Sequence, residues 1–398
     1  MASYPKEPPA YMAAFPPLDN DLKTAKGPSK PSKLPDRLTT QRNSLLQRLY
    51  YFIFLLLLKA FFSTIIFLTR LPYIKDYLPA QPFAASAKPP TFTKTYAIRP
   101  GLETRVFVPS AYNTESGRPL PLYLSIHGGG YAFCSARFDD EFAHPFANKN
   151  NILVISLSYR SSPFHRFPSQ IHDLVAVILE ILSDSTLPID RDRVAIGGFS
   201  CGANLALAVS QVLKSTYADT NLIKGVVAFY PVCNYTTPLS VQLASRPEDS
   251  GSDPLALVMG VLAWGYLQQG AELTDPLVST ALAERTMLPN KIFVVGCELD
   301  LMCHDAQVMA ERFAGMENKS SMNGINGALN GAVNGEAKAE VVGEAGWQRN
   351  GVRWEMVLDQ PHGFDQTPTS RSNGYVVRRR ATRLRDDVGQ WLVKEAWG

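Results

Sequence analysis

Gly198-Phe199-Ser200-Cys201-Gly202 is the segment of this 398-residue chain best suited to covalent chemistry. It follows the apolar run Val194 to Ile196 and precedes a helix-like stretch, so it predicts a sharp strand-to-helix turn with the Ser200 hydroxyl exposed at the tip. A hydroxyl held there can attack a carbonyl carbon, and the Cys201 N–H, at the start of a helix, would face the negative oxygen that develops. His127-Gly128-Gly129-Gly130 ends a second apolar run, Leu120 to Ile126. Successive glycines let the N–H groups of Gly128, Gly129 and Gly130 approach an oxyanion without side-chain obstruction. His127 belongs to this glycine motif and is expected to orient the loop rather than to act as a base. Either motif alone is an ordinary glycine turn or a chance match. In this order, each after a strand, they point to acyl transfer through serine.

The elements that must hold these residues alternate along the chain. Strand-like runs at Leu120 to Ile126, Ile152 to Ser158, Val194 to Ile196, Gly225 to Tyr230, Lys291 to Val295 and Trp354 to Leu358 are separated by helical patterns at Ile171 to Leu182, Ala203 to Leu213 and Ala306 to Phe313, with a last helix through Trp391. Alternation of this kind predicts an α/β fold with a mostly parallel sheet, and the near-continuous apolar strands imply helices on both faces. Two stretches interrupt it. Pro238 to Pro276, which contains Trp264, is expected to cover the site as a cap. Residues 317–347 repeat Asn-Gly at Asn323, Asn326, Asn330 and Asn334 and carry few apolar residues, so a disordered surface insertion is expected.

These motifs resemble the hormone-sensitive-lipase-like family of α/β-hydrolases, and the resemblance runs from about Leu122 to the C-terminus. Tyr159-Arg160-Ser161-Ser162-Pro163, followed by His165-Arg166-Phe167-Pro168 and Asp173, is similar to the family's YRLAPEHPFPA stretch. Ser161-Ser162 stands where Leu-Ala is usual and Phe164 where Glu is usual. Ser200-Cys201-Gly202-Ala203-Asn204 is similar to SAGGN, with Cys201 in place of alanine. That bulkier side chain is expected to narrow an acyl pocket. The resemblance implies an α/β-hydrolase fold and a triad whose acid, just after the strand Ile292 to Val295, falls on Asp300; Glu298 and Asp305 are its competitors. It places the triad histidine after the last strand, where His362-Gly363-Phe364 is similar to the family's HGF, and of six histidines His362 alone fits. The implied activity is hydrolysis of a carboxylic ester, with Gly128, Gly129, Gly130 and Cys201 as oxyanion donors.

Leu49 to Thr69 reads LYYFIFLLLLKAFFSTIIFLT, long enough to cross a bilayer as a helix. Lys59 in its middle costs about 2.5 to 3.5 kcal/mol of insertion free energy, which the Leu, Ile and Phe side chains outweigh, and its charge is expected to snorkel or to face a partner. A polar, proline-rich tail at residues 1–48 precedes the segment, which argues for an uncleaved anchor rather than a cleaved signal. Residues 70–100 are expected to be a linker and 101–398 the catalytic domain. Lys33, Arg37, Arg42 and Arg48 before the segment outnumber Arg70, Lys75 and Lys88 after it, which favours a cytosolic N-terminus and a lumenal domain. Fold and anchor together resemble the arylacetamide deacetylase and steryl acetyl hydrolase branches, implying an endoplasmic reticulum location and a lipophilic or natural-product ester as substrate.

A net charge of +3 with no basic stripe excludes nucleic acid as a partner. Five cysteines without paired spacing predict neither a disulfide framework nor a metal site, and no cofactor motif is present. Asn234-Tyr235-Thr236 and Asn318-Lys319-Ser320 fit the glycosylation pattern. Two other functions use the same scaffold. A ligand-binding receptor of this fold lacks the triad histidine, so His362 speaks against it. An acyltransferase would use the same three residues.

Overall fold

The computed structural model describes residues 44–68, 88–217, 221–316, 340–342, 345–366 and 374–398. The tail before residue 44, most of the linker, Asn318 and residues 317–339 lie outside the described residues.

The strands are β1 (Phe92–Thr95), β2 (Glu103–Phe107), β3 (Leu120–Ile126), β4 (Leu153–Leu157), β5 (Ile189–Phe199), β6 (Gly225–Phe229), β7 (Lys291–Cys297), β8 (Glu340–Val342), β9 (Gly346–Arg349) and β10 (Val352–Val357). They form one sheet in the order β1-β2-β4-β3-β5-β6-β7-β10-β9-β8. The six central strands, β4 through β10, pair in parallel, and antiparallel pairs finish both edges. Every strand expected from the apolar runs is present within a few residues. All seven residues of β3 and all five of β4 and β6 are buried, because helices cover both faces. On one face lie α3 (Ser169–Ser183), α4 (Cys201–Thr216) and α7 (Cys303–Phe313), packed through Leu174, Ile178, Leu205, Val209 and Met309. On the other lie α2 (Asp140–Asn150) and α8 (Gly374–Trp391), packed through Phe146, Val388 and Trp391 onto Phe199, Phe229 and Phe293.

Three boundaries differ from the expectation. The stretch assigned to the linker contains β1, whose Phe92 to Thr95 pair with Val106 to Glu103, so the folded domain starts before residue 101. The stretch assigned to a disordered insertion ends in β8 and β9, a hairpin that extends the sheet from β10. There Trp347 is buried opposite Trp354, a cross-strand aromatic pair of the kind that helps to hold adjacent strands together.

The third concerns the apolar segment. It forms the 24-residue helix α1 (Leu45–Leu68), and the part at Leu45–Thr64 is long and apolar enough to cross a membrane. One stripe of it rests on the cap, which is built from α5 (Leu239–Ala244) and α6 (Leu255–Tyr266). Leu55, fully buried, joins Ala132 and Val261 in a small core with Tyr51, Phe54, Phe133 and Leu262 around it. Lys59 faces partners on the domain, donating to Ser161 Oγ at 2.8 Å and to the Ser162 carbonyl at 3.0 Å. The outer face stays uncovered, with Leu57 64% and Phe61 59% exposed.

Candidate functional site

Ser200 sits between β5 and α4 with φ 56° and ψ −119°, a left-handed conformation that an L-residue holds only when its surroundings force it. The forcing is visible on either side. A Cβ on Gly202 would collide with the carbonyls of Ile126 and His127, and one on Gly198 would run into the Gly202 backbone. Two glycines therefore let α4 leave the strand against the end of β3, and the turn between them lifts the serine side chain out. The Ser200 N–H is satisfied by the Phe229 carbonyl at 2.9 Å.

The structure brings Ser200, His362 and Asp300 together from the ends of three different strands. His362 Nε2 lies 2.9 Å from Ser200 Oγ, and its Nδ1 lies 2.7 Å from Asp300 Oδ2. The other carboxylate oxygen of Asp300 accepts the Met302 N–H at 3.0 Å, fixing the buried acid as acceptor. Burial disfavours charge on His362, but the charge of Asp300, the hydrogen bond to it, and then Asp253 and Asp365 outweigh burial and raise its pKa. The imidazolium is thus stabilised before any substrate is present. The competing acids are engaged elsewhere. Glu298 accepts the Asp359 N–H, and Asp305 accepts from Thr237 and Gln242, tying the cap helix α5 to α7.

The glycine loop lies beside the serine, with Gly128 facing the Phe199 carbonyl and the Ser200 Cβ. Gly129, at φ 103°, takes a conformation open to glycine, and its carbonyl accepts the Ala132 and Phe133 N–H groups at 3.1 and 2.9 Å. His127 is buried under the loop. Its Nδ1 donates to the Gly128 carbonyl at 2.8 Å and its ring stacks on Tyr159 at 4.3 Å. Burial pushes its pKa down to about 4, so it stays neutral and braces the loop. Tyr159 completes the brace by donating to the His127 carbonyl at 3.1 Å. The neighbouring Arg160 forks onto the buried Asp173 at 2.7 and 2.8 Å, and Arg166 reaches the cap, donating to the Leu267 carbonyl at 2.8 Å and covering the Trp264 ring at 4.5 Å.

Two side chains do something other than the sequence suggests. The Cys201 thiol does not narrow a pocket: it is buried beneath the loop, where it accepts the Tyr131 N–H at 3.1 Å and meets the Tyr159 hydroxyl at 3.6 Å. Trp264 is held by Arg166 and by the edge of Tyr51 of α1 at 5.7 Å, so its ring joins the cap to that helix. Asn234 is half-buried, and its amide donates to Thr237 at 2.9 Å.

Sequence reasoning missed the groups around His362. Tyr230 packs edge-on against its ring at 4.8 Å and donates to Asp365 at 2.6 Å. Burial raises Asp365 to about 6. Asp253 accepts the Leu301 N–H at 3.0 Å, next to Asp300 in the chain. Nothing in the sequence separates these carboxylates from ordinary loop acids, since their roles depend on which strand ends meet. No group of three or more His, Cys, Asp or Glu side chains among the described residues has the arrangement of metal ligands.

Comparison with known proteins bears on this arrangement. The chain is 34% identical over 155 residues to mouse neutral cholesterol ester hydrolase 1, a match covering 37% of this chain and 38% of that protein. It is 27% identical over 225 residues to an AB hydrolase superfamily protein of Schizosaccharomyces pombe, covering 55% and 65% of the two chains. The fold is that of a hyperthermophilic esterase from the archaeon Pyrobaculum calidifontis, with a TM-score of 0.61 at 17% identity over 89% of this chain and 99% of that one. A carboxyl esterase from the fungus Tuber melanosporum aligns with a TM-score of 0.59 at 15% identity, over 79% and 90%. A family model described as an alpha/beta hydrolase fold matches residues 123–333, more than half of the sequence, and with it the chain belongs to the hormone-sensitive-lipase-like α/β-hydrolases.

Proposed function

We propose that this protein is a serine carboxylic ester hydrolase acting on a lipophilic ester at a membrane surface. The observation that carries the reading is the unbroken line from Ser200 Oγ through the His362 ring to the buried Asp300, at 2.9 and 2.7 Å, with the serine in a strained turn. In this reading His362 Nε2 takes the Ser200 proton during attack and returns it to the leaving alcohol, while Asp300 holds the tautomer and stabilises the imidazolium. The N–H groups of Gly128, Gly129, Gly130 and Cys201 are the donors offered to the oxyanion, and loss of one such donor typically costs about 3 to 4 kcal/mol of transition-state stabilisation. Water then releases the acyl group by the same relay.

The lipophilic alcohol is supported by the exposed apolar face of α1 beside the cap and by the relatives named for cholesterol ester hydrolysis. A small acyl group, acetyl above all, follows from the resemblance to membrane-anchored deacetylases and receives no support from Cys201. With one stripe of α1 on the cap, its uncovered apolar face is what would hold the enzyme on a bilayer; the endoplasmic reticulum follows from the resemblance to the anchored deacetylases and a lumenal domain from the charge asymmetry around α1, and protease protection in sealed microsomes tests both. Turnover of acetyl, butyryl and decanoyl esters of one alcohol by the detergent-solubilised enzyme tests the substrate. Faster turnover of the decanoyl ester would favour a lipase, and transfer to an added alcohol in place of water would favour an acyltransferase.

A further inference from the structure

Four residues that look misplaced in the sequence meet in one hydrogen-bonded line. Lys59 is the only charged residue between Leu49 and Leu68. Ser161-Ser162 and Cys201 replace an apolar pair and an alanine in the motifs that the chain resembles. In the structure Lys59 Nζ donates to Ser161 Oγ at 2.8 Å and to the Ser162 carbonyl at 3.0 Å. The Ser162 N–H donates to the Tyr131 carbonyl at 2.9 Å, and the Tyr131 N–H donates to Cys201 Sγ at 3.1 Å. The line therefore runs from the apolar helix, across the residue that follows Gly130, to the side chain that follows the nucleophile.

The packing follows the same path. Phe62 of α1 meets Phe133 at 5.1 Å, Leu55 is buried against Ala132, and Leu262 of the cap covers Gly130. Tyr131 is only 2% exposed and is fixed further by stacking on Tyr266 at 3.6 Å and by the Tyr235 hydroxyl at 3.2 Å. A buried N–H that loses its acceptor is costly, so without the thiol the Tyr131 peptide must turn to find another, and the adjoining glycine peptides turn with it. Burial pushes the Cys201 thiol up to about 11, so at neutral pH it accepts as an uncharged group.

We propose that Lys59 and the thiol of Cys201 are positioning residues for the oxyanion loop, acting on the two peptides that flank Tyr131, so that docking of α1 on the domain sets the geometry of the glycine N–H groups. Neither side chain touches the reacting atoms. The proposal rests on the esterase reading for its kinetic consequence, and on hydrogen bonding alone for its structural one.

The full-length, detergent-solubilised enzyme is assayed with p-nitrophenyl acetate as wild type and as K59M, K59R, C201A, C201S and K59M/C201A, each checked for folding by its thermal transition. K59M and C201A should each lower kcat about tenfold with KM changed less than about twofold, since small misplacements of transition-state donors act on kcat. K59R and C201S, which restore a donor and an acceptor, should recover most of the loss. The double variant should be no worse than the weaker single, because both changes act through one loop. Unchanged kcat in K59M or C201A, no recovery in C201S, or additive losses would overturn the proposal. Amide hydrogen exchange needs no substrate and separates this idea from the esterase reading: Ser162 should exchange faster in K59M, and Tyr131 faster in both K59M and C201A. Unaltered protection overturns the coupling whether or not the wild type hydrolyses esters.

Discussion

The floor of the site and its cover are held by different means. The floor, made of β3, β5 and the start of α4, is fixed by backbone contact: Gly198 and Gly202 allow no side chain, and the strand residues around them are fully buried. The cover, made of α1, α5 and α6, is fixed by side chains, namely Leu55 under α6, the Asp305 links to Thr237 and Gln242, and Arg166 over Trp264. Backbone contacts leave no graded change, whereas side-chain contacts can be altered one at a time. The strained Ser200 turn thus rests on the half fixed by backbone, and the cover on contacts that can be varied singly.

The contrast is sharpest at the serine. Ser200→Ala should abolish phosphonate labelling and lower kcat by about a million-fold while leaving the fold intact, and undiminished labelling at another serine would sink the triad. A strained, left-handed serine that is no longer needed for chemistry should if anything leave stability unchanged, which the thermal transition of the same variant reports.

On the floor, Gly202→Ala is the next largest effect. Its methyl group would meet two carbonyls of the β3 end, and overpacking against backbone is expected to cost about 3 kcal/mol or more, read as a lowered urea midpoint. On the cover, Asp305→Ala removes the acceptor of Thr237 and Gln242. It should raise KM several-fold with little change in kcat, with local loss of about 1 to 3 kcal/mol. If the two variants affect kcat and stability alike, floor and cover are not the distinct halves described above.

A smaller effect concerns pH. His362 must be neutral to accept a proton, and its pKa is raised because Asp300, then Asp253 and Asp365, outweigh burial. Activity should therefore fall as pH drops through a value above that of an ordinary histidine. Asp365→Asn removes one negative neighbour and should shift this acidic limb of kcat/KM downward by less than about one unit. An upward shift would mean that Asp365 acts otherwise. The smallest effect should come from deleting residues 317–339, whose composition offers few apolar side chains to a core. Activity and thermal transition should be retained so long as β8 and β9 remain.

Much of the floor was legible because its requirements are local. A serine between two glycines after an apolar strand, and three glycines after another, state their backbone geometry in the sequence itself. Asp300 and His362 needed the resemblance to a family, as their position after a strand says nothing about which strand lies next to which. Cys201 was misjudged for a related reason. Its place beside the nucleophile is readable, but whether its side chain points to substrate or beneath the loop depends on how α4 leaves the turn.

By itself, then, the sequence determined the parallel sheet, the turn that exposes Ser200, the glycine loop and an apolar helix able to enter a membrane, since each is a matter of neighbours in the chain and of periodicity. The tertiary structure decided the rest. It carried His362 to Ser200 across 162 positions of sequence and to Asp300 across 62, extended the sheet through β1 and the β8–β9 hairpin, and gave Lys59 its partners in Ser161 and Ser162. These outcomes depend on which buried surfaces and unpaired polar groups find one another when distant elements pack, and no local pattern encodes that pairing.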